Sequence, residues 1–401
     1  MRIIHTADWH LGQFFYSKSR APEHQAFLDW LLNQIEQHQV DALIIAGDLF
    51  DTGSPPSYAR EMFNRFVVAL QPSGCQLVVL AGNHDSVATL NESRELLACL
   101  NTQVITSATP HGEHQILTLK QRDGTPGALL CAIPYLRPRD ILRSQAGQSG
   151  REKQISLLEA IEQHYQQCFA AAQALNSALP IIATGHLTTV GVTKSDSVRD
   201  IYIGTLDAFP AQAFPPADYI ALGHIHRAQR IANSEHIRYS GSPIPLSFDE
   251  LGRDKSVFLL EFSLTLDSVT PLVVPPSQPM QMLKGSMAEI EHQLAQFSES
   301  TSEQPTWLDI EITTQEYLSD LQRRIETLTE QLPVEVLLVR RSREQRQRSL
   351  ERLDNETLSE LKVEEVFARR LAQEDQLDAD QAAQLTQLFR TQLAALENPS
   401  A

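Results

Sequence analysis

The stretch IIHTADWHLG, residues 3–12, places an apolar run directly before two polar side chains that can bind metals, Asp8 and His10. The same order recurs in four later stretches: LIIAGDLFD (43–51), LVVLAGNHD (77–85), IIATGHL (181–187) and IALGHIH (220–226). Short continuous apolar runs of this kind are typical of strands buried on both faces of a sheet. Each run therefore predicts a buried strand that ends at a group of candidate ligands.

The segments between these runs predict the fold class. Buried strands are expected at Ile3–Ile4, Ala42–Ala46, Leu77–Ala81, Ala128–Ile133, Ile181–Thr184 and Tyr219–Leu222. Amphipathic stretches at Glu23–Gln39 and Tyr58–Leu70 predict helices between the early strands. Strands alternating with helices indicate βαβ units and an α/β fold. Further along, RYSGSPIPLSF (238–248) and SVFLLEFSL (256–264) predict antiparallel or edge strands.

A change in composition divides the chain into three parts. PLVVPPSQP (271–279) has four prolines and predicts a linker after a first domain over 1–270. Beyond it, WLDIEI (307–312) and VEVLLV (334–339) flank a helical stretch at Tyr317–Gln331, and Met287–Phe297 predicts another helix. These elements indicate a small α+β domain over 280–341. The charged remainder is 342–401, and the arginine-rich stretch RRSREQRQRSLER (340–352) spans its start. Helical apolar spacing follows in two segments, around Leu358–Leu371 and Ala382–Leu396.

Composition limits the cellular setting. The chain of 401 residues has no apolar run of about 18 residues and no signal sequence at its start, which predicts a cytoplasmic protein without membrane contact. The four cysteines form no CxxC pair, so we expect buried thiols and no disulfide or zinc site. A formal charge of −17 argues against a broad nucleic-acid surface, because phosphate binding needs positive potential. Bound metal ions can reverse the sign of the potential locally, and arginine clusters or a basic partner could supply the rest.

The candidate ligands follow the carboxyl ends of strands, where α/β sheets bind ligands. They are two carboxylates, an amide and four imidazoles: Asp8, His10, Asp48, Asn83, His186, His224 and His226. Oxygen and imidazole donors together suit manganese or iron, and less often zinc. Taken singly, each position is more simply a turn, a helix cap or a buried histidine. The recurrence of the pattern in all five stretches favours a metal site.

Together, D-x-H, GD, GNHD, GH and GHIH resemble the signature of the calcineurin-like metallophosphoesterases, spanning residues 8–226. TADWHLG, GDLFD, LAGNHD, LGHIH and the SGSP at 240–243 further resemble the SbcD branch of bacterial nucleases. The resemblance implies a β-sandwich core flanked by helices, a small α+β capping domain that contacts DNA, and a helical C-terminal tail.

For the site, the resemblance implies two ions, of which Mn²⁺ is the expected kind. One would be held by Asp8, His10, Asp48 and His226, and the other by Asp48, Asn83, His186 and His224. Asp48 would bridge them, and His84 would be the catalytic proton donor. Asp85 is expected to orient His84 or to cap the following segment. Asp51 stands where many relatives carry histidine, and its role is open between phosphate positioning and a turn or helix cap.

The implied activity is DNA phosphodiester hydrolysis, as a double-strand exonuclease of 3′ to 5′ polarity and a single-strand and hairpin endonuclease. The implied partner is an SbcC-like coiled-coil ATPase that the tail binds, in a heterotetramer with a homodimer formed through the nuclease domain, in DNA repair, recombination and replication near the nucleoid. Candidate DNA contacts are Arg137, Arg139, Arg143, Lys194, Arg199, Arg227 and Arg230. Two rival hypotheses are a phosphoesterase for small phosphodiesters and a non-catalytic scaffold.

Overall fold

The structure, a computed structural model, describes residues 1–109, 112–142, 149–198, 208–299, 304–313, 318–341 and 384–389. The strands are β1 Arg2–Thr6, β2 Phe14–Phe15, β3 Lys18–Ser19, β4 Ala42–Ala46, β5 Gln76–Leu80, β6 Thr102–Ile105, β7 Ile116–Lys120, β8 Pro126–Cys131, β9 Ile181–His186, β10 Tyr219–Gly223, β11 Gln229–Arg230, β12 Ile237–Tyr239, β13 Ser256–Phe262, β14 Leu266–Val273, β15 Met280–Gly285, β16 Thr306–Ile312 and β17 Val334–Arg341. The helices are α1 Ala21–Gln37, α2 Ser57–Leu70, α3 Val87–Glu92, α4 Arg94–Ala98, α5 Pro138–Ile141, α6 Gly150–Leu175, α7 Met287–Ala295 and α8 Leu318–Thr329.

Two six-stranded sheets form the body of the protein, with strand orders β14-β13-β1-β4-β5-β6 and β11-β12-β10-β9-β8-β7. In each sheet the four strands that lead to or lie beside the ligand stretches are parallel, and antiparallel strands are added at the edges. The parallel strands β1, β4, β5, β9 and β10 therefore all point their carboxyl ends toward ligand-bearing loops.

The sheets pack face to face and are covered by helices. Ile44 and Leu80 of the first sheet meet Ile182 and Tyr219 of the second in one buried cluster. The outer face of the first sheet packs against α1 and α2, and that of the second packs against α6. Strands covered on both faces need apolar residues throughout, which is why ALIIA in β4 is buried at every position. The result is the expected β-sandwich flanked by helices.

The elements expected in the first 230 residues are confirmed, with ends shifted by at most two residues. Each of the six predicted strands overlaps an observed one, and α1 and α2 match the two predicted helices. Helix α6 is an addition to them. It begins at a capping box formed by Ser149 and Glu152, and it buries a single apolar stripe along an otherwise polar length.

Two expectations about later segments are wrong. In 238–248 the strand β12 ends at Tyr239, because Gly241 has a φ of 76° and prolines follow, so the remainder is irregular. In 271–279 the strand β14 continues to Val273, and Pro271 pairs with Phe258. A proline fits there because β14 is an edge strand, whose outward N–H needs no partner. The connection to the next sheet is limited to 274–279.

A third sheet follows, with the order β15-β16-β17, all parallel, and with α7 and α8 packed in its own core. It contacts the body through Trp307, whose ring stacks on Phe15 of β2 at 5.8 Å between centroids. Of the predicted helical tail, residues 384–389 are helical, and 342–383 and 390–401 lie outside the described residues. Within the described part of the chain, no helix has the length and hydropathy needed to cross a membrane.

The close approach of the two sheets beside the ligand loops can be tested at Gly223, the last residue of β10. A Cβ there would lie 2.0 Å from the carbonyl oxygen of Ala46 and 2.9 Å from Nδ1 of His186. We expect Gly223→Ala to lower the free energy of unfolding by about 1–3 kcal/mol, because the sheets must separate. Gly53→Ala is the control, since its nearest contact would be an ordinary 3.5 Å. Equal stability of both variants in urea titrations would contradict this packing.

Candidate metal centre

Both sheets contribute to one cluster of candidate ligands. The loops after β1, β4 and β5 carry Asp8, His10, Asp48 and Asn83, and the ends of β9 and β10 carry His186, His224 and His226. Three overlapping groups have ligand atoms within 4.8 Å of one another: Asp8, His10 and His226; His10, Asp48 and His84; and Asp48, His186 and His224. Asn83 joins the last group, 2.9 Å from His186 and 3.1 Å from His224. All seven predicted ligands are therefore brought together.

The backbone at this cluster is strained. Asp8, His10, Asp48 and His224 have positive φ angles of 54°, 47°, 50° and 92°. Such conformations cost about 1–3 kcal/mol each in non-glycine residues and are concentrated at functional sites. Hydrogen bonds between the loops hold them, from Asp8 N to Gly47 O at 3.0 Å and from His10 N to Asp48 O at 3.1 Å. Part of the free energy of folding is therefore spent on holding these side chains in strained backbone conformations that point them into the cluster.

A small residue is required where two loops cross at the centre. Gly82 lies against Asp48, and a Cβ at Gly82 would stand 2.1 Å from Asp48 Oδ1. The backbone N–H of His84 donates to the same oxygen at 2.8 Å. The glycine that precedes Asn83 in the sequence is thus a steric condition for bringing the β4 and β5 loops together.

The first part of the centre contains Asp8, His10 and His226. Nδ1 of His10 lies 3.1 Å from the carboxylate of Asp51, and a carboxylate can only accept, so the ring proton is at Nδ1. Nε2 of His10 then carries a lone pair and can accept a hydrogen bond. It lies 3.7 Å from Asp48 Oδ2 and is buried without a hydrogen-bond partner. A buried acceptor without a donor fits a metal ligand.

The second part contains Asp48, Asn83, His186 and His224. Nδ1 of His186 donates to the carbonyl oxygen of Ala46 at 2.9 Å, which leaves a lone pair on Nε2. That atom faces Asn83 Oδ1 at 2.9 Å and Asp48 Oδ2 at 3.1 Å. Three acceptors at such short range repel one another unless a proton or a metal ion lies among them. Nε2 of His224 is also buried without a partner, so these residues fit a metal ion.

Burial and the charges of Asp48 and His186 set the pKa values in this part of the centre. Burial lowers the pKa of His186, but the charge of Asp48 and their hydrogen bond outweigh it and raise this pKa to about 9. Burial would raise the pKa of Asp48, but the charge of His186 holds it well below its usual range. Burial together with the charge of His186 keeps the pKa of His224 well below its ordinary value. A metal ion held by these residues would compete with the proton of His186.

Asp51 contacts two of the imidazoles. Its carboxylate is next to Nδ1 of His10, and its carbonyl oxygen accepts from Nδ1 of His84 at 2.7 Å. It is thus neither a helix cap nor a simple turn residue, and its position in the sequence gives no signal of this contact. His10, His84, His226 and Asp51 line a cavity of about 220 Å³ with Ser197, Gln13, Phe14 and Leu246.

The expected role of Asp85 is wrong. Its carboxylate accepts three backbone N–H groups, from Leu49 at 3.1 Å, Phe50 at 3.0 Å and Gly82 at 2.8 Å. The following helix α3 is capped by Ser86 instead. Burial, together with the charge of Asp48, raises the pKa of Asp85 to about 6. Asp85 therefore ties the loops that carry Asp48 and Asn83 to each other.

Most of the described basic candidates for DNA contacts already have protein partners. Arg137 donates to the carbonyl oxygens of Thr106 and Asp85, both at 3.1 Å, and its guanidinium lies over the ring of Tyr135. Ion pairs join Arg227 to Asp249, Arg230 to Glu235 and Arg139 to Asp140. Arg139 keeps 76% of its side chain exposed. Lys194 also has a protein interaction, and Arg143 and Arg199 lie outside the described residues.

Comparison with known proteins agrees with this geometry. The model of the family described as "Calcineurin-like phosphoesterase" matches residues 1–228, and that described as "Type 5 capsule protein repressor C-terminal domain" matches residues 276–375. The chain is 66% identical to the SbcD component of the nuclease SbcCD from Escherichia coli strain K12, covering 99% of this chain and 98% of the relative. The SbcD components from Rhodobacter capsulatus and Bacillus subtilis are 36% and 30% identical, covering 71% and 80% of this chain and 71% and 81% of their own lengths.

The central place of Asp48 predicts that one substitution weakens binding throughout the cluster. Asp48→Asn keeps a residue that tolerates a positive φ but removes the charge shared between His10 and His186. We expect bound Mn²⁺ per chain to fall for both ions, as measured by metal analysis after equilibrium dialysis. Asp41→Asn is the matched control, a buried carboxylate just before β4, at the opposite end of that strand. Unchanged Mn²⁺ content in Asp48→Asn would show that this carboxylate does not hold the ions.

Proposed function

The chain belongs to the calcineurin-like phosphoesterase family and to its SbcD group of nucleases, and we propose that it hydrolyses DNA with two Mn²⁺ ions held by the seven clustered residues. The observation that carries this proposal is the convergence of carboxylate and imidazole groups from both sheets, whose ligand atoms lie within 4.8 Å of one another in three overlapping groups. Within this cluster, Nε2 of His10 and Nε2 of His224 are buried without a hydrogen-bond partner. Family membership makes the protein a metal-dependent DNA nuclease. The ligands, the kind of ion and the mode of cleavage are the proposed part.

The proposed ligand sets divide the cluster at Asp48. Asp8, His10, Asp48 and His226 hold one ion, and Asp48, Asn83, His186 and His224 hold the other. The contacts of Asp48 Oδ2 with both His10 and His186 support the bridging role. Bound divalent ions lower the pKa of coordinated water and neutralise charge that builds on the phosphate.

His84 is the proposed proton donor to the leaving sugar oxygen. Its Nδ1 donates to the carbonyl oxygen of Asp51, so a transferable proton must be held at Nε2, on the opposite side of the ring. The ring lines the same cavity as His10 and His226, where a phosphodiester can reach the centre. His84 is also close enough to His10 and Asp48 to be considered as a ligand, so its role needs a direct test.

We further propose three domains, a nuclease domain over 1–270, a capping domain over 280–341 and a partner-binding tail over 342–401. The stack of Trp307 on Phe15 and the ion pair between Lys18 and Glu335 support a capping role. They join the third sheet to the β2–β3 hairpin, and Phe14 of that hairpin borders the cavity. DNA bound at the cavity would therefore also meet the capping domain.

The proposed activities are a 3′ to 5′ exonuclease on duplex ends and an endonuclease on single strands and hairpins. The "SbcCD" in the relatives' name implies a second component, SbcC. We propose that it is a coiled-coil ATPase, that two copies of each chain form a heterotetramer through a nuclease-domain dimer, and that the complex processes DNA ends in repair, recombination and replication at the nucleoid in the cytoplasm.

Replacing His84 separates catalysis from metal binding. His84→Gln should lower kcat on hairpin DNA about 10²–10⁴-fold and leave Mn²⁺ content unchanged, because only proton transfer is lost. His114→Gln, at an exposed histidine, is the control. Loss of an ion in His84→Gln would make His84 a ligand.

The proposed substrate is tested with the unaltered protein. Cleavage of a small phosphodiester but not of labelled duplex or hairpin DNA would overturn it.

The tail can be tested by truncation after Arg341. The shortened protein should cleave single-stranded DNA with Mn²⁺ but no longer co-elute with the ATPase, because amphipathic helices of this length need a surface on which to bury their apolar face. ATP-dependent cleavage of duplex ends should be lost with it. Size-exclusion chromatography of the two proteins with and without the tail measures this. Undiminished co-elution would assign the main contact to the capping domain.

A further inference from the structure

A buried carboxylate next to the metal centre is surrounded by hydrogen-bond donors. Glu250 is 3% exposed, and it organises what we call the Glu250 cluster: Ser195, Ser197, Ser242, Glu250 and Lys255. Its Oε1 accepts from Ser195 Oγ at 2.9 Å and from Ser197 Oγ, and its Oε2 accepts from Ser242 Oγ at 3.3 Å and from Lys255 Nζ. The side chain of Glu250 thus joins the 195–197 segment, the SGSP segment and the start of β13.

The cluster holds His226 from two sides. On the side chain, Ser197 Oγ lies 2.6 Å from Nδ1 of His226, and Glu250 Oε1 lies 3.5 Å from the same atom. On the backbone, the carbonyl oxygen of His226 accepts from Lys255 Nζ at 2.9 Å and from Ser242 N at 3.2 Å. Both the ring and the main chain of His226 are therefore fixed by residues that do not belong to the ligand cluster.

The directions of these hydrogen bonds fix the tautomer of His226. Ser197 has a single hydroxyl proton, which it donates to the carboxylate of Glu250. Toward His226 the hydroxyl oxygen can then only accept, so the ring proton is at Nδ1 and the lone pair is at Nε2. This is the form of histidine that binds a metal through Nε2.

The SGSP segment, residues 240–243, must pass close to His226 for these hydrogen bonds to form. Gly241 has a φ of 76°, and a Cβ there would lie 2.7 Å from the backbone nitrogen of Ala228 and 2.8 Å from the carbonyl oxygen of His226. Glycine thus allows Ser242 to reach both Glu250 and the backbone of His226. The buried ion pair between Glu250 and Lys255 is poorly explained by stability alone. Replacing such a pair with apolar residues often leaves the free energy of unfolding unchanged or raises it.

We propose that Glu250 is a positioning residue for the metal ion bound by His226, acting through Ser197. The proposal rests on the ligand sets proposed above. The other imidazoles are oriented by different groups, His10 by Asp51 and His186 by the carbonyl oxygen of Ala46. Loss of Glu250 therefore weakens binding of the proposed ion of Asp8, His10, Asp48 and His226 and leaves the proposed ion of Asp48, Asn83, His186 and His224 in place.

The test is titration of the full chain with Mn²⁺, followed by calorimetry, with Glu250→Gln, Ser197→Ala and the double variant Glu250→Gln/Lys255→Met. The double variant removes both charges, so it avoids leaving Lys255 buried without its partner. We expect the affinity for one of two ions to fall about 10–100-fold, the usual effect of losing a group that orients a ligand. The affinity for the second ion stays unchanged, and Ser197→Ala changes the same ion.

Two reference variants make the result specific. Glu23→Gln removes a carboxylate that is 5% exposed and paired with the buried Arg20, so it matches the loss of a buried ion pair outside the ligand cluster. It should lower stability and leave both Mn²⁺ affinities unchanged. His226→Ala should lose the same ion that Glu250→Gln weakens.

The outcomes distinguish the two proposals. Unchanged binding of both ions by Glu250→Gln and by the double variant, with one ion lost in His226→Ala, overturns the role of Glu250 and keeps the ligand sets. Both ions retained in His226→Ala overturns the ligand sets and the positioning role with them. Equal weakening of both ions, or the same weakening in Glu23→Gln, shows a general loss of stability and also overturns the positioning role.

Discussion

The mutual repulsion of buried acceptors around Asp48 is the interaction on which the rest of this structure depends. Carboxylate, amide and imidazole groups face each other here at 2.9 Å and 3.1 Å, distances at which only a proton or a metal ion can lie among their lone pairs. The cost of this arrangement is met by the two packed sheets, which fix the loops from both sides. Positive φ angles at four ligand positions and the narrow gaps at Gly82 and Gly223 are consequences of the same crowding.

The imidazoles are directed toward the centre by partners of three chemical kinds. Asp51 holds His10 with a carboxylate, a strand carbonyl at Ala46 holds His186, and a serine backed by Glu250 holds His226. In each case the partner engages Nδ1, so Nε2 is left for the proposed metal ion. The centre is thus preorganised by residues outside the ligand set, and most of them lie in loops that start at different strands.

The negative net charge of the chain implies that positive potential at the site must come from bound cations or a partner, not from the chain's own basic residues. The net charge is −17, and four of the described arginines that were candidates for DNA contacts are paired with protein groups. The two divalent ions proposed above would add four positive charges beside the cavity where the phosphate is expected to bind. The third sheet, joined to the β2–β3 hairpin beside the cavity, offers additional surface, and a partner protein can supply the rest.

The sequence by itself determined the buried strands of the sandwich, the helices α1 and α2 and the seven candidate ligands that the structure brings together. Each of these is encoded locally, by the apolar pattern of a segment and the residues that follow it. The tertiary structure alone decided what depends on distant parts of the chain. Asp51 meets His10, Asp85 ties two loops, and Glu250 reaches His226 across 24 positions. It also decided that Pro271 lies in an edge strand and that SGSP lies outside the strands, since pairing partners and close approaches are set by the packing of segments, not by their own residues.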